Sequence, residues 1–309
     1  MKKQGTNLVP SLWYEDNNMA RAAGMPSDFK EKFLNPETWE KAREAMDVYM
    51  IRANTLTKKE NEIDDVFLKD TTLPLLKESN TALALDVQGA TWMTHDKKKS
   101  VLEQEAALCE KIRNLGGEVT YLSLQSVLSK PLRTKNESLP YPMDQRIEDI
   151  VEYTRTMKKS FPEIRVGIID ALPSHGKDYR TPYADLVAAL RQSGYELNHI
   201  HLDIPFETPE EGINGMSWEK VKGVEVFVQK EIGCEFGLIC TSRKAGYESN
   251  RAYHETVLNA LERHKSVGGA PDQYLIMSWF PHPSRSIPEN ALENEFPTMK
   301  TVLEFYKKI

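Results

Sequence analysis

The 309-residue chain carries 46 acidic and 40 basic side chains, a formal net charge of −6 at neutral pH. Apolar residues make up 40 % and charged residues 28 %, the balance of an ordinary globular protein. The acidic surplus argues against a nucleic-acid binder, which needs a basic face, and against an anionic membrane surface. No apolar run approaches the roughly 20 residues that span a bilayer.

The amino terminus, Met1-Lys2-Lys3-Gln4-Gly5-Thr6-Asn7, has charge with no apolar segment behind it. No secretory leader is therefore expected, and the default location is cytoplasmic, or outside the cell had a leader been removed. Cys109, Cys234 and Cys240 form neither a disulfide framework nor a CxxC pair. Buried thiols in a reducing compartment are the expectation.

Along the chain, short apolar runs alternate with amphipathic stretches. The runs predict strands over Leu8–Trp13, Val48–Asn54, Ala82–Gln88, Val119–Gln125, Val166–Ala171, Leu197–Phe206, Phe236–Ser242 and Tyr274–Phe280. Helical patterns lie between them, among others Pro36–Met46, Val101–Leu115, Tyr183–Ser193, Trp218–Ile232 and Tyr253–Val267. Eight strand–helix units with no second compositional zone predict the α/β class and one domain over 1–309, a single (β/α)8 TIM barrel. An open doubly wound sheet would carry a glycine-rich turn after an early strand, and none is present. The spacing breaks once: residues 126–144, after the fourth strand, predict a long loop, either one that binds or covers ligands or a disordered insertion.

Barrel strands alternate between a face covered by helices and a face toward the axis, and active sites lie at the carboxyl ends. Asp86 and Gln125 share a parity with small or polar neighbours, opposite Leu83, Leu85, Leu122 and Leu124. His199, His201 and Asp203 oppose Ile200, Leu202 and Ile204, and Arg52 opposes Ile51. Asp170 ends the fifth strand. Asp86, Gln125, Asp170, His201 and Asp203 are thus expected at one cavity mouth. Each taken singly has another use as a helix cap or ion-pair partner, and His199, deeper in its strand, reads as an interior histidine. Several acids buried together without a use would cost several kcal/mol each.

The motifs narrow the chemistry. No HxxxH or nearby cysteine supports a metal site, no GxSxG elbow supports a serine nucleophile, and no glycine-rich loop with Lys-Ser/Thr supports phosphoryl transfer. Carboxylate acid–base chemistry in a cleft rimmed by aromatics remains, as in glycoside hydrolysis. Trp13, Tyr14, Trp92, Trp279 and Phe280 fall at or after predicted strand ends, where they serve either sugar stacking or rim packing.

Trp39 with Asp47-Val48-Tyr49, Ala84-Leu85-Asp86, His201-Leu202-Asp203, Ser278-Trp279-Phe280-Pro281-His282-Pro283 and Pro288-Glu289-Asn290 carry a resemblance over nearly the full length. On these motifs the chain resembles the (β/α)8 barrels of the glycoside hydrolase superfamily, bacterial members in particular. It departs from the largest clan, whose retaining enzymes carry Asn-Glu at the end of the fourth strand and Glu at the end of the seventh. Here Gln125-Ser126 and Thr241-Ser242-Arg243 stand at those places.

The resemblance implies a glycosidase-like enzyme acting on an oligo- or polysaccharide, with no cofactor and no metal. Asp203 is the expected general acid and Asp170 the expected nucleophile or base. Trp13, Arg52, Asp86, Gln125, His201, Glu207, Trp279 and His282 are the expected substrate contacts, with Glu207 and Glu289 as reserve acids. The alternatives are a carbohydrate-binding barrel without catalysis, or a metal-dependent sugar isomerase or phosphodiesterase on the same fold.

Overall fold

The computed structural model describes residues 9–16, 28–57, 63–89, 95–129, 141–172 and 178–309. Eight parallel strands close into a barrel in chain order. They are β1 (Ser11–Asp16), β2 (Val48–Arg52), β3 (Ala82–Val87), β4 (Val119–Gln125), β5 (Arg165–Asp170), β6 (His199–Leu202), β7 (Glu235–Cys240) and β8 (Gln273–Ile276). Seven lie within a residue or two of their predicted starts. β1 runs about three residues later than predicted, because Trp13 registers with both Val48 and Leu275. The Asp47 carboxylate also accepts the amide of Leu12.

Helices cover the outer face of this sheet. Met143–Ser160 buries Ile147, Ile150, Val151, Thr154 and Met157, a three- and four-residue spacing that makes one apolar stripe. Trp218–Val226 begins on Ser217, whose hydroxyl accepts the Lys220 amide, and continues as a π-helical turn over Phe227–Ile232. Of the predicted loop after β4, residues 130–140 lie outside the described residues, as does Trp92. All three cysteines are thiols, with Cys109 and Cys240 buried. Among the described residues no helix is long and apolar enough to cross a membrane.

The alternation separates two apolar clusters. Leu12, Tyr14, Tyr49, Ile51, Leu85, Leu122, Leu124, Ile168, Ile200 and Leu202 face the helices. Trp13, Val48, Met50, Ala84, Ile169, Ile239, Leu275 and Met277 face the axis. Two histidines share the interior with them. His199 and His201 are fully buried, 4.7 Å apart by ring centroid, and both pack on Trp13. His199 Nε2 bonds Ser123 Oγ at 2.8 Å, and His201 Nε2 bonds Gln273 Oε1 at 2.5 Å. Gln273 in turn donates to Glu235 Oε2 at 2.6 Å. Burial lowers the pKa of both rings, His201 to about 4, so they lie neutral in the barrel.

The rings fit because the neighbouring strands are glycine at the contact. A Cβ on Gly237 would stand 2.0 Å from the His201 ring, and one on Gly167 would stand 2.2 Å from His199. Gly237→Ala is therefore expected to destabilise the protein by about 1–3 kcal/mol through overpacking. Urea unfolding measures this, and a variant as stable as the wild type would mean that the ring has room to move aside.

Candidate functional site

The carboxyl ends of the strands open onto a cavity of about 490 Å³, within the ordinary range for small-molecule sites. Arg52, Asp86, Gln125, Asp203 and Trp279, all expected as site residues, line it. Four of them follow directly from strand parity: Arg52, Asp86, Gln125 and Asp203 continue the inward-facing sets of β2, β3, β4 and β6.

Charge organises the wall. Arg52 Nε donates to Asp86 Oδ2 at 2.9 Å, and its Nη2 lies 3.8 Å from Glu15 Oε1. Burial alone would pull the guanidinium pKa down, but Asp86 and Glu15 outweigh it and hold it raised. Asp86 is raised by burial against the pull of Arg52, and Gln125 Nε2 approaches the same oxygen at 3.4 Å. Asp203 differs from its neighbours. Its side chain makes no hydrogen bond among the described residues, and burial, then Asp170 and Asp86, push its carboxyl up to about 7. The Trp279 indole N–H, buried at the same wall, also has no hydrogen-bond partner among the described residues. Buried donors left this way are uncommon and call for a partner.

Other expected site residues lie elsewhere. Asp170 faces the helices, not the cavity, because it shares a parity with Val166 and Ile168 while Ile169 faces the axis. Its Oδ2 accepts from the Tyr183 hydroxyl at 2.6 Å and the Ser129 amide at 3.3 Å, and its Oδ1 accepts the Ala171 amide. Those bonds fasten the turn after β4 to β5. Trp13 and His201 are fully buried in the barrel interior, so they form its packing and do not line the cavity. Glu207 accepts from Ser242 Oγ and from the amides of Arg243 and Lys244, capping the helix Arg243–Glu248. Glu289 does the same for Lys41 and Ala42 at the helix Glu40–Ala45. His282 is half-buried, and its Nδ1 pairs with Asn250 Oδ1 at 2.6 Å.

Two acids that strand patterning did not single out belong to the site. Glu15, inward on β1 two residues past Trp13, is buried beside Arg52. Glu105 reaches the cavity from the helix His95–Asn114. Its Oε1 accepts the amides of Gln88 at 2.9 Å and Gly89 at 3.2 Å, and its Oε2 accepts the Tyr153 hydroxyl at 2.8 Å. Burial lifts this carboxyl to about 7 against those three bonds. Glu105 thus fixes the turn that carries Gln88 along the cavity wall. Glu105→Ala is expected to cost about 1–3 kcal/mol by stranding those donors, and Glu105→Gln, which keeps an acceptor, to cost less. Equal losses in urea unfolding would contradict the assignment.

Among the described residues no three His, Cys, Asp or Glu side chains are grouped so as to hold a metal ion.

No family model matches the chain, and no curated protein matches it in sequence. Solved structures do match in fold. Native xylanase 10B from Thermotoga maritima is similar at a TM-score of 0.59 and 13 % identity, over 97 % of this chain and 96 % of that one. The intracellular xylanase of Thermoanaerobacterium saccharolyticum, solved with xylotetraose, is similar at 0.57 and 12 % identity, over 89 % of each chain. The 3-keto-D-glucoside 4-epimerase of E. coli is similar at 0.52 and 9 % identity, over 97 % of this chain and all of that one. The chain is a (β/α)8 barrel whose structural neighbours include sugar hydrolases and a sugar epimerase.

Proposed function

We propose that the protein is a carbohydrate-active enzyme of the glycoside-hydrolase type, working through carboxylates at the barrel mouth without a cofactor. The observation that carries this reading is Asp203, a carboxyl on the wall of an open cavity with no hydrogen-bond partner among the described residues and a pKa near 7. Such a group keeps a proton up to near-neutral pH, where an ordinary aspartic acid has lost it, and can give it to a glycosidic oxygen as the bond to the anomeric carbon breaks. Asp86, paired with Arg52, takes the second role that the sequence assigns to Asp170. It faces the positive charge that develops on the sugar ring, and either closes on the anomeric carbon itself or takes the proton of the water that does. Gln125 and the Trp279 indole N–H then bind sugar oxygens.

A second reading has its own observation. The ends of β4 and β7 present Gln125 and Thr241-Ser242-Arg243, not carboxylates. A barrel that binds sugar without cleaving it accommodates those residues directly, with Asp203 as a hydrogen-bond donor to a hydroxyl.

A panel of oligo- and polysaccharides, xylans and xylo-oligosaccharides first, separates the two by parallel thermal-shift and reducing-sugar assays. Release of sugar by the wild type supports the enzyme. Stabilisation without release supports the binding barrel, and neither effect with any carbohydrate overturns both.

A further inference from the structure

Glu15 stands on the inward face near the end of β1, fully buried, and does not itself line the cavity. It closes a polar row that crosses three neighbouring strands at one level. Arg52 on β2 registers with Asp86 on β3 and donates to its Oδ2 at 2.9 Å. Nη2 of the same guanidinium lies 3.8 Å from Glu15 Oε1. The two acids also meet each other directly, carboxyl to carboxyl, in a hydrogen bond.

Two carboxylates have no hydrogen to place between them, so that bond needs a proton on one of the pair. The surroundings demand the same. Arg52, Gln125 from β4, Asp203 beyond β6 and Glu105 from the helix His95–Asn114 face the pair. Asp16, the next residue on β1, points the other way into its pair with Lys32. Arg52 is the one cation in that group and balances a single negative charge. Ionising Glu15 and Asp86 together would leave a second buried charge without a counter-ion, beside two further acids.

The bond has a direction. The contact with Glu15 draws the Asp86 carboxyl down, as Arg52 and Gln125 do, against the larger effect of burial, so Glu15 is the donor and Asp86 the acceptor. The distances agree. Asp86 Oδ2 accepts from Arg52 Nε and is approached by Gln125 Nε2 at 3.4 Å, whereas Arg52 Nη2 stands beyond hydrogen-bond reach of Glu15.

We infer that Glu15 and Asp86 share one proton at neutral pH, carried by Glu15, and that this bond keeps the charge on Asp86 for the reaction. Glu15 is a positioning residue: it acts through the carboxylate that meets the substrate. The inference rests on the role proposed for Asp86 as the second carboxyl of the site. Its consequence is a lower acid limit, because Asp86 stays ionised to a lower pH than burial alone would allow.

Carbon-13 NMR of protein labelled at the glutamate side-chain carboxyls reads the proton without any substrate. The Glu15 signal, identified by its loss in Glu15→Gln, is expected at the protonated position at pH 7, where an ordinary glutamic acid is ionised. In Asp86→Asn it is expected at the ionised position, because Glu15 then becomes the counter-ion of Arg52. An ionised Glu15 in the wild type at pH 7, or a signal that stays protonated in Asp86→Asn, overturns the shared proton and leaves the carbohydrate reading intact. The effect on turnover is read from kcat/KM against pH with whichever oligosaccharide the wild type cleaves. Glu15→Ala is expected to move the acid limb up by about one pH unit, the size of one hydrogen bond to a charged group. Glu15→Gln, whose amide still donates to Asp86, should leave the limb near its wild-type position. An acid limb at the same pH in all three proteins overturns the positioning role. Turnover absent with every carbohydrate overturns the carbohydrate reading, and the NMR titration still decides the proton.

Discussion

Asp203→Asn is expected to lose turnover by about 10²–10⁴-fold, the usual contribution of a positioned general acid, and to melt higher than the wild type at pH 8. The second half follows from linkage. The carboxyl has an ordinary value of 3.8 and is held at about 7 in the folded protein by burial and by Asp170 and Asp86. Between those values the folded state keeps a proton that the unfolded chain has released. Stability from this group therefore falls as pH rises from about 4 to 7 and stays low above 7, where the folded protein carries the full cost of an ionised Asp203. A shift of that size corresponds to about 4 kcal/mol at most, and the open cavity on one side screens it to something on the order of 2 kcal/mol. Asparagine removes the ionisation, so the gain is expected at pH 8 and is expected to vanish near pH 4. A functional residue whose removal stabilises the fold is the usual sign of a site kept at the expense of stability. Melting curves of both proteins from pH 4 to 8 decide it. A variant that melts no higher at pH 8 would mean that the fold does not raise the Asp203 carboxyl.

The second large effect lies outside the cavity. Lys32, on the helix Phe29–Leu34, is fully buried and paired with Asp16 at the end of β1. The Tyr49 hydroxyl donates to the same Asp16 oxygen at 2.5 Å. The ammonium sits 5.1 Å from the ring centres of Tyr14 and Tyr49 and 5.4 Å from that of Trp39. Cation–π attraction and the ion pair together offset the desolvation of both charges. Lys32→Met keeps the volume but leaves the Asp16 carboxylate buried without its counter-charge, and is expected to cost roughly 3–5 kcal/mol. Lys32→Met/Asp16→Leu should recover most of that loss, because a well-packed apolar pair often replaces a buried ion pair at little cost. Urea unfolding of the wild type and the two variants checks both steps. Full stability of the single variant would show that the carboxylate finds compensation elsewhere.

How much of this was legible in the sequence depended on whether a residue's role was local. Barrel closure and the axis-facing set were, because the period of two runs unbroken through β2, β3 and β6 and from Tyr121 to Gln125 in β4, past the irregularity at its start. Arg52, Asp86, Gln125 and Asp203 reach the cavity wall by that rule alone. Asp170 stands at a strand end, where a site acid is expected, but its parity, set by Ile168 and Ile169, turns it to the helices. Glu15 is hidden for a related reason: the apolar run ends at Trp13, while β1 continues to Asp16 and carries the next inward position.

The remaining differences come from contacts that no window of sequence contains. Glu207 caps a helix whose first amide is 36 residues further on, and Glu289 caps one 247 residues earlier. Both look like spare acids until the helices are placed. Glu105 holds the turn after β3 from a helix, so it belongs to neither the strand pattern nor a motif. For His201 the alternation shows the inward face but not the depth, which is full burial in the barrel. Its fit against Gly237 depends on the register of two strands.

The central claim is that Asp203 delivers a proton to a glycosidic oxygen in this cavity. The most direct test is the pH profile of kcat/KM for whichever oligosaccharide the wild type cleaves, run beside Asp203→Asn. The account predicts activity that falls on the alkaline side with an apparent pKa near 7, as the acid is lost, and a variant slower by about 10²–10⁴-fold. Sugar release by Asp203→Asn at the wild-type rate, or a wild-type profile flat from pH 6 to 9, would contradict it.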